Sequence, residues 1–261
     1  MDTAIIMEME HAYKRSFANT KEEDWGYLYW NENNPSHWDA NHAWVLRVPE
    51  NHGATREQVE QFYEGRGIAP RFYIWNLRAN QDFMKHLQMN GYRTETSVNA
   101  VQIWGGTFVE TVSHAEVTVE PVTDENYVDA LHVECSMTEF GGREVREKAF
   151  EREFHSPLYT HFLMRVHGHP AGIACLFMCG RHARVESVGI VEAFRGRGLV
   201  KPLLRRVQEE ARTQGCAQLW VFPIDEVAER IYQKCGFATC GRFESAHAYR
   251  DTSGWGGGCK Q

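Results

Sequence analysis

Short apolar runs alternate with amphipathic helical stretches through the second half of this 261-residue chain, and this alternation most restricts its possible folds. Strands are predicted at 117–122, 159–166, 171–179, 185–191, 218–222 and 243–249, and helices at 123–137, 144–154, 199–212 and 226–234. Thr123 is the predicted N-cap of the first of these helices. The turn around His167-Gly168 predicts a hairpin between two of the runs. The pattern as a whole predicts an α/β fold.

The first half repeats this order of elements less clearly. Strands are predicted at 25–30, 43–48, 72–77 and 98–104, and helices at 2–17, 56–65 and 82–89. Residues 105–122 are predicted to form a strand, a short turn and a strand that join the halves closely. We therefore predict a smaller N-terminal α/β lobe at 1–115, a second domain at 116–250, and a flexible glycine-rich tail at 251–261.

Composition excludes several classes of protein. Apolar residues make up 43% and aromatic residues 12%, which argues against disorder over most of the chain. A net charge of −7 disfavours a duplex nucleic-acid binder. No apolar window approaches the length of a membrane helix, and the N-terminus lacks a signal-peptide pattern. Seven cysteines without a CxxC pair, and two turn histidines (His167 and His169), predict no metal site and a reducing cytoplasmic location.

The most informative stretch runs from Val188 to Val200, where a strand enters a glycine-containing loop and then a helix. This arrangement directs backbone N–H groups and the positive end of a helix dipole toward an anion. Gly196 and Gly198 let a phosphate approach the backbone. Five bases and no acid occur between 195 and 206, at Arg195, Arg197, Lys201, Arg205 and Arg206. We predict a local anion site here.

A bare turn is an equally good interpretation of a glycine loop taken alone. The stretch has neither the G-x-G-x-x-G pattern of dinucleotide sites nor the G-x-x-x-x-G-K-[ST] pattern of P-loops. A single RGRG within an ordered strand–helix unit also argues against an RNA-binding segment.

Arg195-Gly-Arg-Gly198-Leu-Val200 resembles the R/Q-x-x-G-x-G/A signature of the GNAT superfamily of acyl-CoA N-acyltransferases. Ala228-Glu-Arg-Ile-Tyr232-Gln-Lys-Cys-Gly236-Phe237 is similar to that family's A-x-x-L-Y-x-x-x-G-F helix and turn, at the right distance downstream. The resemblance covers residues 116–250 and implies a mixed, mostly antiparallel twisted sheet flanked by helices. Two residues depart from the pattern: Val200 replaces Gly or Ala, and Asp225 replaces an Asn near the pantetheine.

The resemblance also implies roles for individual residues. Tyr232 corresponds to the residue that protonates the departing thiolate, although a core tyrosine is the alternative. Glu186 has the position of a strand carboxylate acting through water as general base, with a solvated or salt-bridged glutamate as an equal alternative. The Ile190 amide resembles the oxyanion donor at a strand bulge. Residues implied to contact acetyl-CoA are Val188, Ile190, Val191, Arg195, Gly196, Arg197, Gly198, Leu199, Val200, Asp225 and Tyr232.

Residues 83–104 resemble a degenerate copy of residues 228–249, with Gly91-Tyr92 parallel to Gly236-Phe237. Leu87 then occupies the position of Tyr232. This favours a GNAT-like lobe that cannot bind coenzyme A and that walls the acceptor site. An unrelated α/β cap is the alternative. The aromatic run at Trp25, Tyr27, Tyr29 and Trp30 is either core or acceptor-pocket lining.

The function implied is a cytoplasmic acetyl-CoA-dependent N-acetyltransferase for a small amine or amino-acid-like acceptor. Neither nucleic acid nor membrane is a predicted partner, and a monomer or homodimer is expected. The alternative is a non-catalytic protein that binds or senses acyl-CoA on the same fold. Acceptor-site residues are expected from variable loops, here Ser136–Arg143 and the first half.

Overall fold

A computed structural model of the chain describes residues 3–110 and 115–250. The described residues divide into two compact units. The first unit comprises residues 3–13 and 100–241, and the second unit comprises residues 14–99 and 242–250. Among the described residues, no helix combines the length and the apolar character that crossing a bilayer requires.

Helices and strands are numbered in chain order. The α-helices in the described residues are α1 (Thr3–Phe17), α2 (His52–Glu64), α3 (Gln81–Met89), α4 (Tyr127–Ser136), α5 (Gly142–Phe154), α6 (Val200–Thr213) and α7 (Glu226–Gln233). The strands are β1 (Asn19–Glu23), β2 (Gly26–Trp30), β3 (His42–Val45), β4 (Arg71–Trp75), β5 (Arg93–Trp104), β6 (Val117–Pro121), β7 (Tyr159–Val166), β8 (His169–Cys179), β9 (His182–Ile190), β10 (Gln218–Val221) and β11 (Phe237–Tyr249). Short 3₁₀ helices occur at Trp38–Ala40, Thr138–Phe140 and Glu192–Phe194.

The sheet of the first unit has the strand order β5-β10-β9-β8-β7-β6. The pairs β6–β7, β7–β8, β8–β9 and β5–β10 are antiparallel, whereas β9 and β10 are parallel. The predicted mixed, mostly antiparallel sheet is confirmed. The predicted hairpin is also confirmed, with His167-Gly168 between β7 and β8.

Helices cover both faces of this sheet. Phe162 and Met164 of β7 face the cluster that contains Leu203 and Leu204 of α6. Leu163, between them, belongs to the opposite cluster formed with α4 and α5. Successive residues of a strand point to opposite faces, so a nearly continuous apolar run is buried on both sides.

The second unit has the strand order β1-β2-β3-β4-β11, in which only β3 and β4 among the described pairs are parallel. Helices α2 and α3 cover one face with Val59, Tyr63, Phe83 and Leu87. Trp25 packs in this same cluster, and the fully buried Tyr29 contacts Trp44 with ring centroids 6.1 Å apart, as core residues do.

The division into units differs from the predicted boundary at residue 115. Helix α1 and strands β5 and β11 each contribute residues to both units. The second unit needs the end of β11 as a strand, so neither unit is one continuous stretch of chain. The predicted flexible tail, 251–261, lies outside the described residues.

Two local predictions were wrong. Helix α4 starts at Tyr127 with Asn126 as its N-cap, and the Asn126 side chain accepts a hydrogen bond from the Thr123 amide at 2.8 Å. Residues 105–110 form no strand. Arg205 and Arg212 of α6 stack on the Phe108 ring, with guanidinium carbons 3.6 and 3.9 Å from its centroid. Side-chain packing on a helix therefore replaces strand pairing in this segment, of which 111–114 lie outside the described residues.

A buried ionic cluster connects α4, α5 and β7. Arg146 donates to Glu134 at 2.9 Å and, through two N–H groups, to both oxygens of Glu153 at 2.9 and 3.2 Å. His161 Nε2 lies 3.6 Å from Glu153. All four residues are at most 4% exposed. Burial raises the pKa of Glu134 to about 7 and lowers the pKa of His161 to about 4.

We expect Glu134→Gln to change the pH dependence of stability. Between pH 4.5 and 7 the folded protein keeps a proton on Glu134 that the unfolded chain has lost, so wild-type stability falls as pH rises. The amide carries no such proton. From pH 4.5 to 8 the variant therefore gains up to about 3 kcal/mol relative to wild type, measured by urea unfolding. The exposed Glu147→Gln is the control, and an equal offset at both pH values would contradict the assignment.

Candidate functional site

Strand β9 carries a β-bulge just before the glycine loop. Cys175 on β8 lies opposite Glu186 and Ile173 lies opposite Gly189, so one residue of β8 faces two residues of β9. Ser187, in the bulge, has a φ of 50°, in the left-handed region that non-glycine residues rarely adopt. The bulge places Glu186 and Gly189 on the same face of the sheet, because their partners are two residues apart.

The end of β9 separates from its parallel neighbour. Pairing of β10 with β9 ends at Trp220↔Arg184. The Val191 amide donates to the Ala171 carbonyl of β8 at 2.8 Å. Because N–H groups alternate sides along a strand, the Ile190 N–H points to the opposite edge. This edge offers a backbone donor to a ligand lying where β10 has left β9.

The loop after β9 exposes its backbone. Gly196 and Gly198 have φ values of 77° and 73°, and no described atom lies within 4 Å of a Cβ built on either residue. Helix α6 begins at Val200, two residues later, and Pro202 lies in its first turn, where N–H groups have no intrahelical partner. The open backbone and the helix N-terminus form a cradle for an anionic group.

A cavity of about 710 Å³ in the first unit lies beside this strand edge and loop. Its walls come from β9 (Val188, Gly189, Ile190), the loop and α6 (Phe194, Arg195, Gly196, Gly198, Leu199, Val200, Lys201), the segment before α5 (Met137, Glu139, Phe140) and the surroundings of α7 (Ile224, Ile231, Lys234, Cys235). Most of these residues are apolar. A cavity of this volume, with mostly apolar walls and the anion cradle beside it, can hold a ligand that has an apolar part and an anionic group.

Seven of the predicted acetyl-CoA contacts line this cavity: Val188, Ile190, Arg195, Gly196, Gly198, Leu199 and Val200. Val191, Arg197, Asp225 and Tyr232 are outside its wall. Asp225 instead caps α7, where its carboxylate accepts a hydrogen bond from the Ala228 amide at 2.7 Å. Its predicted role beside the pantetheine stays a prediction.

The bases near the loop are mostly engaged with protein groups. Arg205 and Arg206 each form an ion pair with a glutamate one turn along α6. Arg197 donates to the backbone oxygen of Ala193 at 2.9 Å. Lys201 lies on the cavity wall. The anion cradle therefore consists of backbone amides and Lys201 more than of Arg197, Arg205 and Arg206, which the sequence pattern had also indicated.

Arg195 fastens the loop to its surroundings. Its Nε donates to the Ile190 carbonyl at 2.9 Å, and its Nη2 donates to a Glu139 carboxylate oxygen at 3.0 Å. The side chain thus joins the end of β9 to the 3₁₀ helix Thr138–Phe140 across the cavity. Its contribution is to fix the shape of the loop.

Tyr232 lies on α7 between two residues of the wall, Ile231 and Cys235. Its ring is partly buried against the core, 6.0 Å from the Phe237 ring in an edge-on contact. Burial raises the pKa of Tyr232 above its usual range, with smaller contributions from Cys235 and Asp225. The phenol is therefore protonated at neutral pH and retains a proton to donate.

Glu186 is held in an ion pair. Its carboxylate contacts Nε of Arg184, and its side chain is 15% exposed. The salt-bridged interpretation of this glutamate is therefore part of the structure, and a role as general base stays a prediction. The two are compatible, because a carboxylate must be ionised to accept a proton.

Nothing in the sequence indicated several residues of the cavity wall. Others were expected only as members of a loop and not as individual residues. Met137, Glu139 and Phe140 fall within the loop expected to contribute to the acceptor site. A Cβ at Gly189 would lie 3.1 Å from Met137 and 3.2 Å from Phe140, so this segment packs directly on β9. Ile224 carried no motif, although its 84% exposure marks it once the fold is known.

Comparison with known proteins agrees with this geometry. Residues 127–237 match the acetyltransferase (GNAT) family model. A 59-residue stretch is 42% identical to glucosamine 6-phosphate N-acetyltransferase 1 of Oryza sativa subsp. japonica, over 23% of this chain and 35% of that protein. The chain thus spans about a third of that relative's length. The C-terminal half of the chain thus has the mixed sheet described above and matches the GNAT family model over residues 127–237.

Two solved structures share the fold over most of the chain. A GCN5-related N-acetyltransferase from Kribbella flavida has a TM-score of 0.66 and 17% identity, covering 97% of this chain and 95% of its own. A functionally unknown conserved protein from Staphylococcus epidermidis has a TM-score of 0.68 and 13% identity, covering 90% and 94%. At these identities the likeness concerns the fold.

Proposed function

We propose that this protein is an acetyl-CoA-dependent N-acetyltransferase acting on a small amine or amino-acid-like acceptor. The amine attacks the thioester carbonyl directly, the C–N bond forms, and the C–S bond breaks. The observation that carries the proposal is the cavity on which the open edge of β9, the glycine loop and the start of α6 converge. These three features supply a backbone donor and an anion cradle along one wall.

Each part of the site has a chemical task in this reaction. Amides of residues 196–200 hold the pyrophosphate, and Val188 and Ile190 lie along the pantetheine. The Ile190 N–H stabilises the oxyanion that forms on the carbonyl. Glu186 accepts the amine proton through water, and Tyr232 donates a proton to the departing thiolate.

The segment with Met137, Glu139 and Phe140 is the proposed acceptor side of the cavity. Glu139 brings a carboxylate that suits an ammonium group, although Arg195 already pairs with it. A relative named for glucosamine 6-phosphate makes an amino sugar phosphate a reasonable first acceptor to assay.

The test is release of free thiol from acetyl-CoA in the presence of pooled amines, with mass spectrometry of the products. We expect an acceptor-dependent thiol signal and a product heavier by one acetyl group. The blank without amine accounts for hydrolysis. Thermal stabilisation by coenzyme A without turnover would favour the alternative, a non-catalytic acyl-CoA-binding or sensing protein. The observation that favours this alternative is that neither Tyr232 nor Glu186 is part of the cavity wall.

A further inference from the structure

We propose that Glu10, on α1, is a positioning residue that acts through Arg184 and controls the charge state of Glu186. This inference rests on the proposed function, because it assigns Glu10 an effect on the general base of that reaction. Nothing in the motif region indicates it, since Glu10 is 174 residues from Arg184 in the sequence.

The Arg184 guanidinium packs close to two aromatic rings. Its guanidinium carbon lies 4.5 Å from the Tyr13 ring centroid and 4.4 Å from the Phe222 ring centroid. With two rings this close to the guanidinium carbon, the N–H groups at the edges of the planar group remain available for ion pairs. Nη1 contacts the Glu10 carboxylate at one edge, and Nε contacts the Glu186 carboxylate at the other.

The three charged side chains are largely shielded from water. The side chains of Glu10, Arg184 and Glu186 are 11%, 12% and 15% exposed. Charges this well covered interact more strongly than surface pairs and are less screened by salt. Two carboxylates share one guanidinium, so each changes how strongly Arg184 stabilises the other.

Glu10, Arg184 and Glu186 are called the triad below. The bulge in β9 relates this triad to the cavity wall. Glu186 lies on the same face of β9 as Gly189, which is part of the cavity wall and touches Met137 and Phe140. Glu186 is not itself part of the cavity wall, but the bulge places it on the sheet face where Met137 and Phe140 pack over Gly189. Its charge state therefore bears on proton removal from an amine at that face.

Other ionisable groups also face the triad. Tyr13 of α1 stacks on Arg184, and Cys175 of β8 lies opposite Glu186. Beyond Cys175, whose Sγ is 3.8 Å from His161 Nε2, lies the buried cluster of His161, Glu153, Arg146 and Glu134. All the variants below keep these groups, so a difference in pH profile between variants reflects the change made in the triad.

The two partners of Glu186 have opposite expected effects. In Glu10→Gln, the whole charge of Arg184 stabilises ionised Glu186, and the acid limb of the pH profile of kcat/KM moves to lower pH. In Arg184→Met, Glu186 loses the guanidinium that stabilises its ionised form, and the acid limb moves to higher pH. We expect each shift to be about one pH unit. A purely structural role would lower activity without moving the limb in opposite directions.

Glu8→Gln is the matched control, because Glu8 is an exposed glutamate on the same helix. It should leave the pH profile unchanged. The proposal is overturned if the acid limb moves in neither test variant, or if it moves in the same direction in both. Should Arg184→Met fail to fold, the direction of the Glu10→Gln shift alone decides.

A second measurement separates this proposal from the proposed function. The Glu186 carboxyl carbon is followed by NMR over pH in glutamate-labelled protein, with Glu186→Gln to assign the signal. Opposite shifts of its titration in the two variants support the coupling even where no amine is acetylated. Active enzyme with an unmoved Glu186 titration would overturn the coupling and leave the proposed function intact.

Discussion

Gly198→Glu is expected to weaken coenzyme A binding by at least about 100-fold while the protein remains folded, as measured by calorimetry. The new side chain has space, because no described atom lies within 4 Å of its Cβ position. Its carboxylate would enter the anion cradle at the start of α6, where it competes with the phosphates for backbone amides and repels them. The left-handed backbone, with φ of 73°, adds a strain of about 1–2 kcal/mol.

A matched control distinguishes an effect on the binding site from the general effects of backbone strain and added charge. Gly168→Glu in the β7–β8 turn introduces the same side chain at a φ of 81°, also with no described atom within 4 Å of the Cβ position. It should lose similar stability and keep full affinity for coenzyme A. Equal affinity in the two variants would remove the glycine loop from the binding site.

Tyr232→Phe is expected to reduce kcat by at least about 100-fold, if departure of the thiolate limits the rate. The substitution keeps the ring and its contact with Phe237 but removes the proton. Because the raised pKa of Tyr232 keeps the phenol protonated at neutral pH, the whole population is competent to donate. The KM for acetyl-CoA should change little, since the hydroxyl acts on the leaving group.

The leaving group provides an internal check on this role. An acyl donor with a more acidic thiol departs without a proton, so the loss in Tyr232→Phe should be smaller with that donor. Tyr127→Phe removes a phenol at the start of α4, far along the chain from α7, and should leave kcat unchanged. Near-normal kcat in Tyr232→Phe with every active acceptor would make Tyr232 a core residue.

Strands that bury apolar side chains were predictable from the sequence, and strands held by their backbone alone were not. The predicted run 159–166 coincides with β7, in which six of eight residues are buried. β1, by contrast, is the polar sequence NTKEE and was missed entirely. β5 begins at Arg93, five residues before the predicted start, because its first residues are exposed and carry no apolar alternation. Hydrogen bonds between the backbones of two strands do not require any alternation of apolar and polar side chains, so the sequence pattern does not reveal them.

The candidate site likewise has a part that the sequence could predict and a part that it could not. The strand, the glycine loop and the start of α6 are consecutive in sequence, and local geometry determines what they present. Met137 and Phe140 pack directly over Gly189, whose missing side chain leaves room for that close contact with β9. The pairing of Arg184 with Glu10 depends on α1, which no spacing rule connects to β9. Contacts between distant segments were beyond the sequence.

The position of α1 also has a consequence for how the protein folds. The hairpin of β7 and β8 closes across a two-residue turn, whereas α1 reaches Arg184 only by closing a loop of 174 residues. Long loops cost more entropy and form their contacts late. Because α1 precedes β9 and Phe222 in the chain, Arg184 can contact both of its carboxylates and both rings only after those later segments have been synthesised. We therefore expect the contact between Glu10 and Arg184 to form after the β7–β8 hairpin.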